Sequence, residues 1–279
     1  MKADSVLRLS SLALLLMLVA PAAAHPGQSP APSSSESRAE NEAFLATAAI
    51  VTDAPADGRP SWRASLASDS RKHDASVEMA DGSDPTRRNH RFNVAAYELD
   101  KLLQLGLVPP SVARVVNGRG AALTWWVDGF AMNELERRRK KIDVPDLESW
   151  SRQVDAVRVF DELISNTYRN TSPGLYLNTV WDSLLITNDW MIWLTDHAAA
   201  FRTRLALEDP ESLRRCPRTV LPRLRELNRA HLQQTLGKYL SSQQLDALDS
   251  RRALIVNHFN DRIASQGEAA VLYDLRPRP

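Results

Sequence analysis

Apolar and polar residues follow different patterns in the two halves of the chain. Before about residue 128 the runs are short, and both Trp62–Leu66 and Ala75–Met79 alternate as half-buried strands do. Apolar residues then recur at spacings of three and four, which is typical of a helix with one buried face. These residues are Val94, Ala95, Leu99, Leu102 and Leu103.

A β-hairpin is predicted after this helix. Pro109-Pro110 prevents the helical pattern from continuing. The Asn117-Gly118 pair then separates two further apolar runs, Val112–Val116 and Ala122–Val127. Since Asn-Gly favours the two-residue turns that join antiparallel strands, the first half is predicted to be a small sheet with one long helix.

The second half is predicted to be mainly helical. Ser241 and Gln244 fit a capping box, in which each side chain bonds to the backbone N–H of the other residue. Asp209 and Pro210 suit the first positions of another helix. Apolar residues at helical spacing mark one more helix, at Val154, Val157, Phe160 and Ile164.

Together these patterns predict an α+β fold with two lobes. A small sheet-plus-helix N-lobe is expected at residues 41–128, and a mainly helical C-lobe at residues 129–279.

Residues 1–24 have the features of a signal peptide. A positive start precedes the apolar run Leu12–Val19, and Ala22-Ala23-Ala24 forms a small-residue cleavage site. Residues 25–40 are rich in Pro and Ser and are predicted to be a disordered linker. No later segment approaches the roughly 20 apolar residues of a spanning helix. We therefore expect an exported protein, periplasmic or secreted, with no transmembrane segment after cleavage.

Charge argues against nucleic acid as a partner. The chain has 35 Lys and Arg residues against 34 Asp and Glu residues, so no global positive potential is present. The basic run 137–141 stands among Glu134, Glu136 and Asp143, which favours a solvated helix face over a binding patch. Cys216 is the only cysteine, so the chain has no internal disulfide and the thiol is interpreted as structural.

Three segments resemble the atypical kinase superfamily, which includes secretory-pathway casein kinases, HipA-like kinases and lipid-kinase-like catalytic domains. They are 94–110, 159–170 and 193–201, and with the spacing between them they cover nearly all of the chain after its signal. The chain is most similar to an uncharacterised exported bacterial branch. The resemblance implies a two-lobed, protein-kinase-like fold, with ATP and Mg²⁺ as the cofactors.

The resemblance also places this chain's residues at the positions that carry kinase chemistry. Glu78 stands where the family has the lysine that holds the nucleotide phosphates, and Asn93 where it has the glutamate that orients this lysine. Tyr168 replaces the catalytic aspartate, and Ser183 replaces the asparagine that binds the second metal ion. Only Asp196 keeps the family's identity, as the metal-binding acid.

Two further residues are candidates for cofactor binding. Trp126 would lie on the strand leading to the hinge, where an adenine could stack on it, although core packing of Trp125-Trp126 is favoured. Arg169 could contact a phosphate, or it could pair with Asp161 or Asp196; the sequence leaves these alternatives open.

The leading hypothesis is a pseudokinase that acts by binding a nucleotide or a protein partner in the envelope or extracellular space. A phenol of ordinary pKa near 10 is a poor substitute for a carboxylate that accepts a substrate proton, so Tyr168 argues against catalysis. The alternatives are an active atypical kinase that uses Asp196 for Mg²⁺, with support from an inserted acid such as Asp182, and a structural envelope protein without a ligand.

Overall fold

A five-stranded antiparallel sheet is built from the first part of the chain. The computed structural model describes residues 34–52, 61–80, 89–166, 169, 183–276 and 278. In spatial order the strands are β1 (Ala49–Ile50), β2 (Ser61–Ala67), β3 (Lys72–Met79), β5 (Arg119–Trp125) and β4 (Ser111–Val116). The two predicted strands and the predicted hairpin are confirmed. Asn117 and Gly118 both have positive φ, 50° and 74°, as the two-residue turn requires.

Two helices accompany this sheet, α1 (Ser34–Thr47) and α2 (Arg91–Leu103). The predicted helix is α2, which ends at Gln104 in the left-handed conformation, two residues before Gly106. The linker prediction was wrong for residues 34–40, which belong to α1. Its Arg38 reaches across 62 positions to form an ion pair with Asp100 at 2.8 Å, a contact that composition does not reveal.

The remainder is mainly helical, with one three-stranded and one two-stranded sheet. The first contains β6 (Phe130–Asn133), β7 (Leu184–Thr187) and β8 (Ile192–Leu194), all antiparallel; the second pairs β9 (Cys216–Pro217) with β10 (Leu272–Tyr273) in parallel. The helices are α3 (Glu134–Arg139), α4 (Leu147–Ile164), α5 (Val220–Glu226), α6 (Arg229–Leu236), α7 (Ser242–Gln266) and α8 (Glu268–Val271).

In this part the sequence predicted one helix start correctly and another wrongly. Ser241 and Gln244 form the predicted capping box of α7, whose C-cap is Gly267. The helix expected at Asp209 is only a single 3₁₀ turn, Pro210–Ser212, and the Asp209 side chain does not cap it. The chain enters β9 at Cys216, which leaves no length for a longer helix, and the buried Glu162 carboxylate accepts the backbone N–H of Asp209 at 2.9 Å.

Two hydrophobic clusters hold the described residues together. The smaller lies between the five-stranded sheet and α1, and includes Leu45, Leu66, Val77 and Leu123. The larger contains the buried face of α2 together with α4, α5, α6 and α7. The long helix of the first half therefore packs into the core of the second half, while it also contacts β4 and β5.

Several sequence predictions concern residues outside the described ranges. These are the signal peptide at 1–24, the first part of the linker, and Tyr168 with most of the loop after it. Within the described residues, no helix has both the length and the apolar character needed to cross a membrane. Cys216 is fully buried in β9, and burial raises the pKa of its thiol, which agrees with a structural side chain.

Replacing Asp100 should test how α1 and α2 are joined. Asp100 is fully buried, and its carboxylate accepts the Leu107 N–H at 2.8 Å as well as the Arg38 guanidinium. Asp100→Ala leaves the Leu107 N–H without its acceptor and the Arg38 guanidinium without its counter-charge, so we expect a loss of ~3–5 kcal/mol in the free energy of unfolding in urea. Asp69→Ala, at an exposed position, should change it by less than ~0.5 kcal/mol. Equal midpoints for the two variants would contradict this role.

Candidate functional site

A cleft of about 430 Å³ lies between the five-stranded sheet and the β6–β7–β8 sheet. Its floor and walls combine hydroxyl, amide and carboxylate groups with aromatic side chains. The described residues that line it are Ser61, Ser76, Glu78, Asn93, Thr124, Trp125, Trp126, Val127, Phe130, Leu185, Thr195 and Asp196. Four residues singled out from the sequence, Glu78, Asn93, Trp126 and Asp196, are thus brought together in one cavity.

The alternation of β3 explains which residues face this cleft. Ala75, Val77 and Met79 are buried in the smaller cluster, so Ser76 and Glu78 point to the opposite face of the strand. In the register of the sheet Ser76 stands opposite Thr124 on β5, and Glu78 opposite Ser61 on β2. The three hydroxyl residues were missed from the sequence, although the period of two that predicts β3 already puts Ser76 beside Glu78.

Asn93 links the two sides of the cleft. Its Nδ2 donates to Glu78 Oε2 at 2.7 Å, and its Oδ1 accepts the backbone N–H of His197 at 2.7 Å. Asn93 is 6% exposed, so its bond to His197 is buried, whereas the bond to Glu78 is part-buried at the cleft. The family resemblance assigns a kinase's lysine and glutamate to these two positions. Here a glutamate accepts a hydrogen bond from an amide instead.

Asp196 is exposed at the cleft and has a left-handed backbone, with φ of 54°. A non-glycine residue rarely adopts this conformation, although aspartate tolerates it better than most. The flanking contacts hold the turn, because Thr195 N–H donates to the Ser183 carbonyl at 2.9 Å and His197 N–H bonds to Asn93. The carboxylate therefore sits on a conformation that its neighbours impose.

Arg169 is buried beneath this turn and does not reach the cleft. Of the partners considered from the sequence, the structure shows Asp161, at 3.2 Å from Arg169 Nε. Arg169 Nη1 also donates to the Ser183 carbonyl at 3.0 Å, the Ser183 hydroxyl at 3.0 Å and the Thr195 carbonyl at 2.7 Å. Arg169 is 1% exposed, and its guanidinium joins Ser183 to Thr195, the residue before Asp196.

Burial controls the protonation of two groups around Arg169. It raises the pKa of Asp161 to about 6, against the opposing effects of Arg169 and Asn166. Burial, helped by the positive charge of Arg169, lowers the pKa of His197 well below its ordinary value. His197 is therefore neutral at pH 7. Its ring packs edge-on against Phe160, with centroids 6.1 Å apart, and its Nε2 has no hydrogen-bond partner among the described residues.

The two adjacent tryptophans have different environments. Trp125 is buried and stacks on His73, with ring centroids 3.5 Å apart. Trp126 is half-buried, and Arg63 lies over its ring at 4.4 Å while the side chain also borders the cleft. Asp128 follows the two tryptophans in sequence and binds β3, because its carboxylate pairs with His73 Nε2 at 2.9 Å. Core packing thus describes Trp125, while Trp126 offers an aromatic surface to a ligand.

The charge of the cleft does not suit bare phosphate groups. Glu78 and Asp196 are both carboxylates, and the described lining contains no Lys or Arg. A triphosphate carries several negative charges, which kinases neutralise with a lysine and with metal ions. Within the described residues, no three His, Cys, Asp or Glu side chains converge. The described lining therefore supplies neither a three-ligand metal site nor a cation that would neutralise a triphosphate. Tyr168 and Asp182 lie outside the described residues.

Comparison with known proteins gives a fold and no family. No protein-family model matches the chain, and neither does any curated protein. A solved structure described as hydra Fam20 with sugar matches with a TM-score of 0.59 at 15% identity, over 86% of this chain and 93% of that one. Fam20 is a secretory-pathway atypical kinase family.

The fold is two-lobed and kinase-like. The fold class predicted from the sequence is confirmed by the Fam20-like architecture. Membership of an exported bacterial branch stays a prediction. At 15% identity the likeness concerns the fold alone, so the roles of Glu78, Asn93, Ser183 and Asp196 depend on the geometry described above.

Removing Arg169 should destabilise the Fam20-like fold strongly. Arg169→Met leaves Asp161 without its cation and the Thr195 carbonyl without its donor, so we expect a loss of ~3–5 kcal/mol in the free energy of unfolding. Urea denaturation measures this loss. Arg139→Met, at an exposed position on α3, is the matched control and should have little effect.

The effect of Arg169→Met should also depend on pH. Because the folded-state pKa of Asp161 is raised above its ordinary value, its ionisation removes stability as pH rises through about 6. Without Arg169 that pKa rises further, so the difference from the parent protein should be larger at pH 7 than at pH 4.5. A difference that is constant between these pH values would show that Asp161 is not the group affected.

Proposed function

We propose that this protein is a kinase-fold binding protein that does not transfer phosphate. The observation that carries the proposal is the 2.7 Å bond between Glu78 and Asn93. The family resemblance assigns a kinase's lysine and glutamate to these two positions. A carboxylate at the phosphate-binding position repels what a lysine attracts. The loss is also structural, because Asn93 uses its second atom to hold the turn that carries Asp196.

The cleft is suited to an uncharged, hydroxyl-rich ligand, and we propose a saccharide. Glu78, Asp196 and Asn93 supply acceptors and donors, while Trp126 and Phe130 supply flat apolar surface. A pocket of this size with aromatic walls and a few polar groups is typical of small-molecule sites. The hydra Fam20 structure is described as containing sugar, which supports this ligand class for a related fold.

Export is part of the proposal. The signal-like residues 1–24 and the fold shared with a secretory-pathway kinase family both support a periplasmic or secreted location. A protein partner in the envelope or extracellular space would then respond to the liganded cleft.

An active atypical kinase is the second candidate, and Asp196 favours it. This carboxylate is exposed at the cleft, on the strand-end turn where the family has its metal-binding acid. The candidate requires cations that the described lining does not contain, so phosphate transfer in this case would depend on groups outside the described residues.

Nucleotide binding separates the two candidates. We expect no rise in melting temperature with ATP and Mg²⁺ at about 1 mM, because a ligand stabilises only the state to which it binds. The double variant Glu78→Lys with Asn93→Glu recreates the lysine–glutamate pair and should gain a shift, whereas Glu78→Gln, which removes charge without adding a cation, should gain less. Phosphate transfer by the parent protein that is lost in Asp196→Asn would overturn the proposal.

Saccharide binding can be measured directly by calorimetry. Glucose, galactose and N-acetylglucosamine serve as neutral probes, and we expect binding of at least one of them. Trp126→Ala should weaken it about fivefold to tenfold through loss of aromatic contact. Trp193→Ala, at a half-buried tryptophan outside the cleft lining, should leave it unchanged. Equal affinities in the two variants would place the sugar elsewhere.

A further inference from the structure

A second cavity, of about 450 Å³, lies outside the cleft and has the opposite charge. We call it the basic pocket. Among the described residues that line it are five arginines and two carboxylates, an excess of three positive charges. They are Arg138, Arg158, Arg214, Arg215 and Arg262, with Glu134 and Asp155; Trp150, Val154, Val157 and Leu184 form its apolar wall, and Ser151 and Ala270 complete the lining.

Both carboxylates of the basic pocket are already shared by arginines. Glu134 is 1% exposed and binds Arg138 at 2.7 Å, while its other oxygen binds Arg137 at 2.6 Å. Asp155 binds Arg215 at 2.8 Å and Arg158 at 3.3 Å. Neither acid therefore has charge left to neutralise further cations.

Arg214 and Arg262 are the cations without a carboxylate. Arg262 Nε donates to the Arg214 carbonyl at 3.1 Å, and its Nη2 reaches only the neutral Gln266 side chain, at 3.3 Å. Among the described residues the Arg214 guanidinium has no hydrogen-bond or ion-pair partner. Both arginines line the same pocket, and a bound anion would supply the negative charge that neither receives from a carboxylate.

The geometry points to a binding site for a small organic phosphate in the basic pocket. Guanidinium groups match the oxygens of a phosphate in pairs, and an excess of three charges suits a dianion better than a single carboxylate. The uncharged part of the ligand would lie on Trp150, which is held in place by Arg137 over its ring and by Trp190 at its edge. This inference is independent of the function proposed for the cleft.

Calorimetry with phenyl phosphate tests the site on the full chain. Phenol removes the phosphate and keeps the ring, while inorganic phosphate removes the ring and keeps the charge. We expect phenyl phosphate to bind, phenol not to bind, and Arg214→Gln with Arg262→Gln to weaken binding at least about tenfold. If inorganic phosphate binds as tightly as phenyl phosphate, the anion site is supported and its ligand is free phosphate.

Two controls keep the result interpretable. Arg139→Gln changes an arginine on α3 outside the pocket lining and should alter the affinity less than about twofold. Neither Arg214 nor Arg262 has an ion pair to lose, so the double variant should keep the parent melting temperature. The inference is overturned if phenyl phosphate and phenol bind equally, if neither binds at millimolar concentration, or if the folded double variant binds like the parent.

Discussion

The burial of α2 on two sides is the constraint on which the cleft depends. Nine of its 13 residues are buried; it contacts β4 and β5 in the sheet and also packs with the helices of the second half. The helix therefore cannot shift without exposing apolar surface on one side or the other. In kinases the position of the equivalent helix decides whether the lysine and glutamate meet. Here the helix that carries Asn93 is held in position by packing on both of its sides.

Charge is distributed unevenly between the two cavities that the described residues form. Phosphoryl transfer is mainly positioning and neutralisation of negative charge, so its site needs cations. The cleft has Glu78 and Asp196 and no cation in its described lining, whereas the basic pocket has a surplus of arginines. The near-zero net charge of the whole chain conceals both features, since opposite local excesses cancel.

Arg169 shows that a structural contact can persist when the adjacent chemistry has changed. It joins Asp161, Ser183 and Thr195 in the interior, and the removal of either charge would leave the other buried without a partner. That cost holds Arg169, Asp161 and Thr195 together independently of any reaction in the cleft. The family resemblance at 159–170 accordingly reports on the architecture of the segment more directly than on a reaction.

Signals that act over a few residues could be recognised in the sequence. The alternation of β3, the Asn117-Gly118 turn and the Ser241–Gln244 capping box depend on neighbouring backbone groups, and each has its predicted form. The kinase-like fold and the presence of Glu78, Asn93 and Asp196 in one cleft also followed from the order of segments.

Only the tertiary structure decided the features that join distant residues. Arg38 finds Asp100 across 62 positions, so α1 begins inside a segment whose composition indicates disorder. The buried Glu162 accepts the amides of Glu208 and Asp209, 46 and 47 positions away. The basic pocket collects its arginines from separate elements, and the basic run 137–141 contributes only Arg138 to it. Sequence alone determined the turns, caps and strand alternation, because these depend on near neighbours. It also indicated the type of fold, through the order of its segments. The partners of buried charges depend on which surfaces meet in three dimensions.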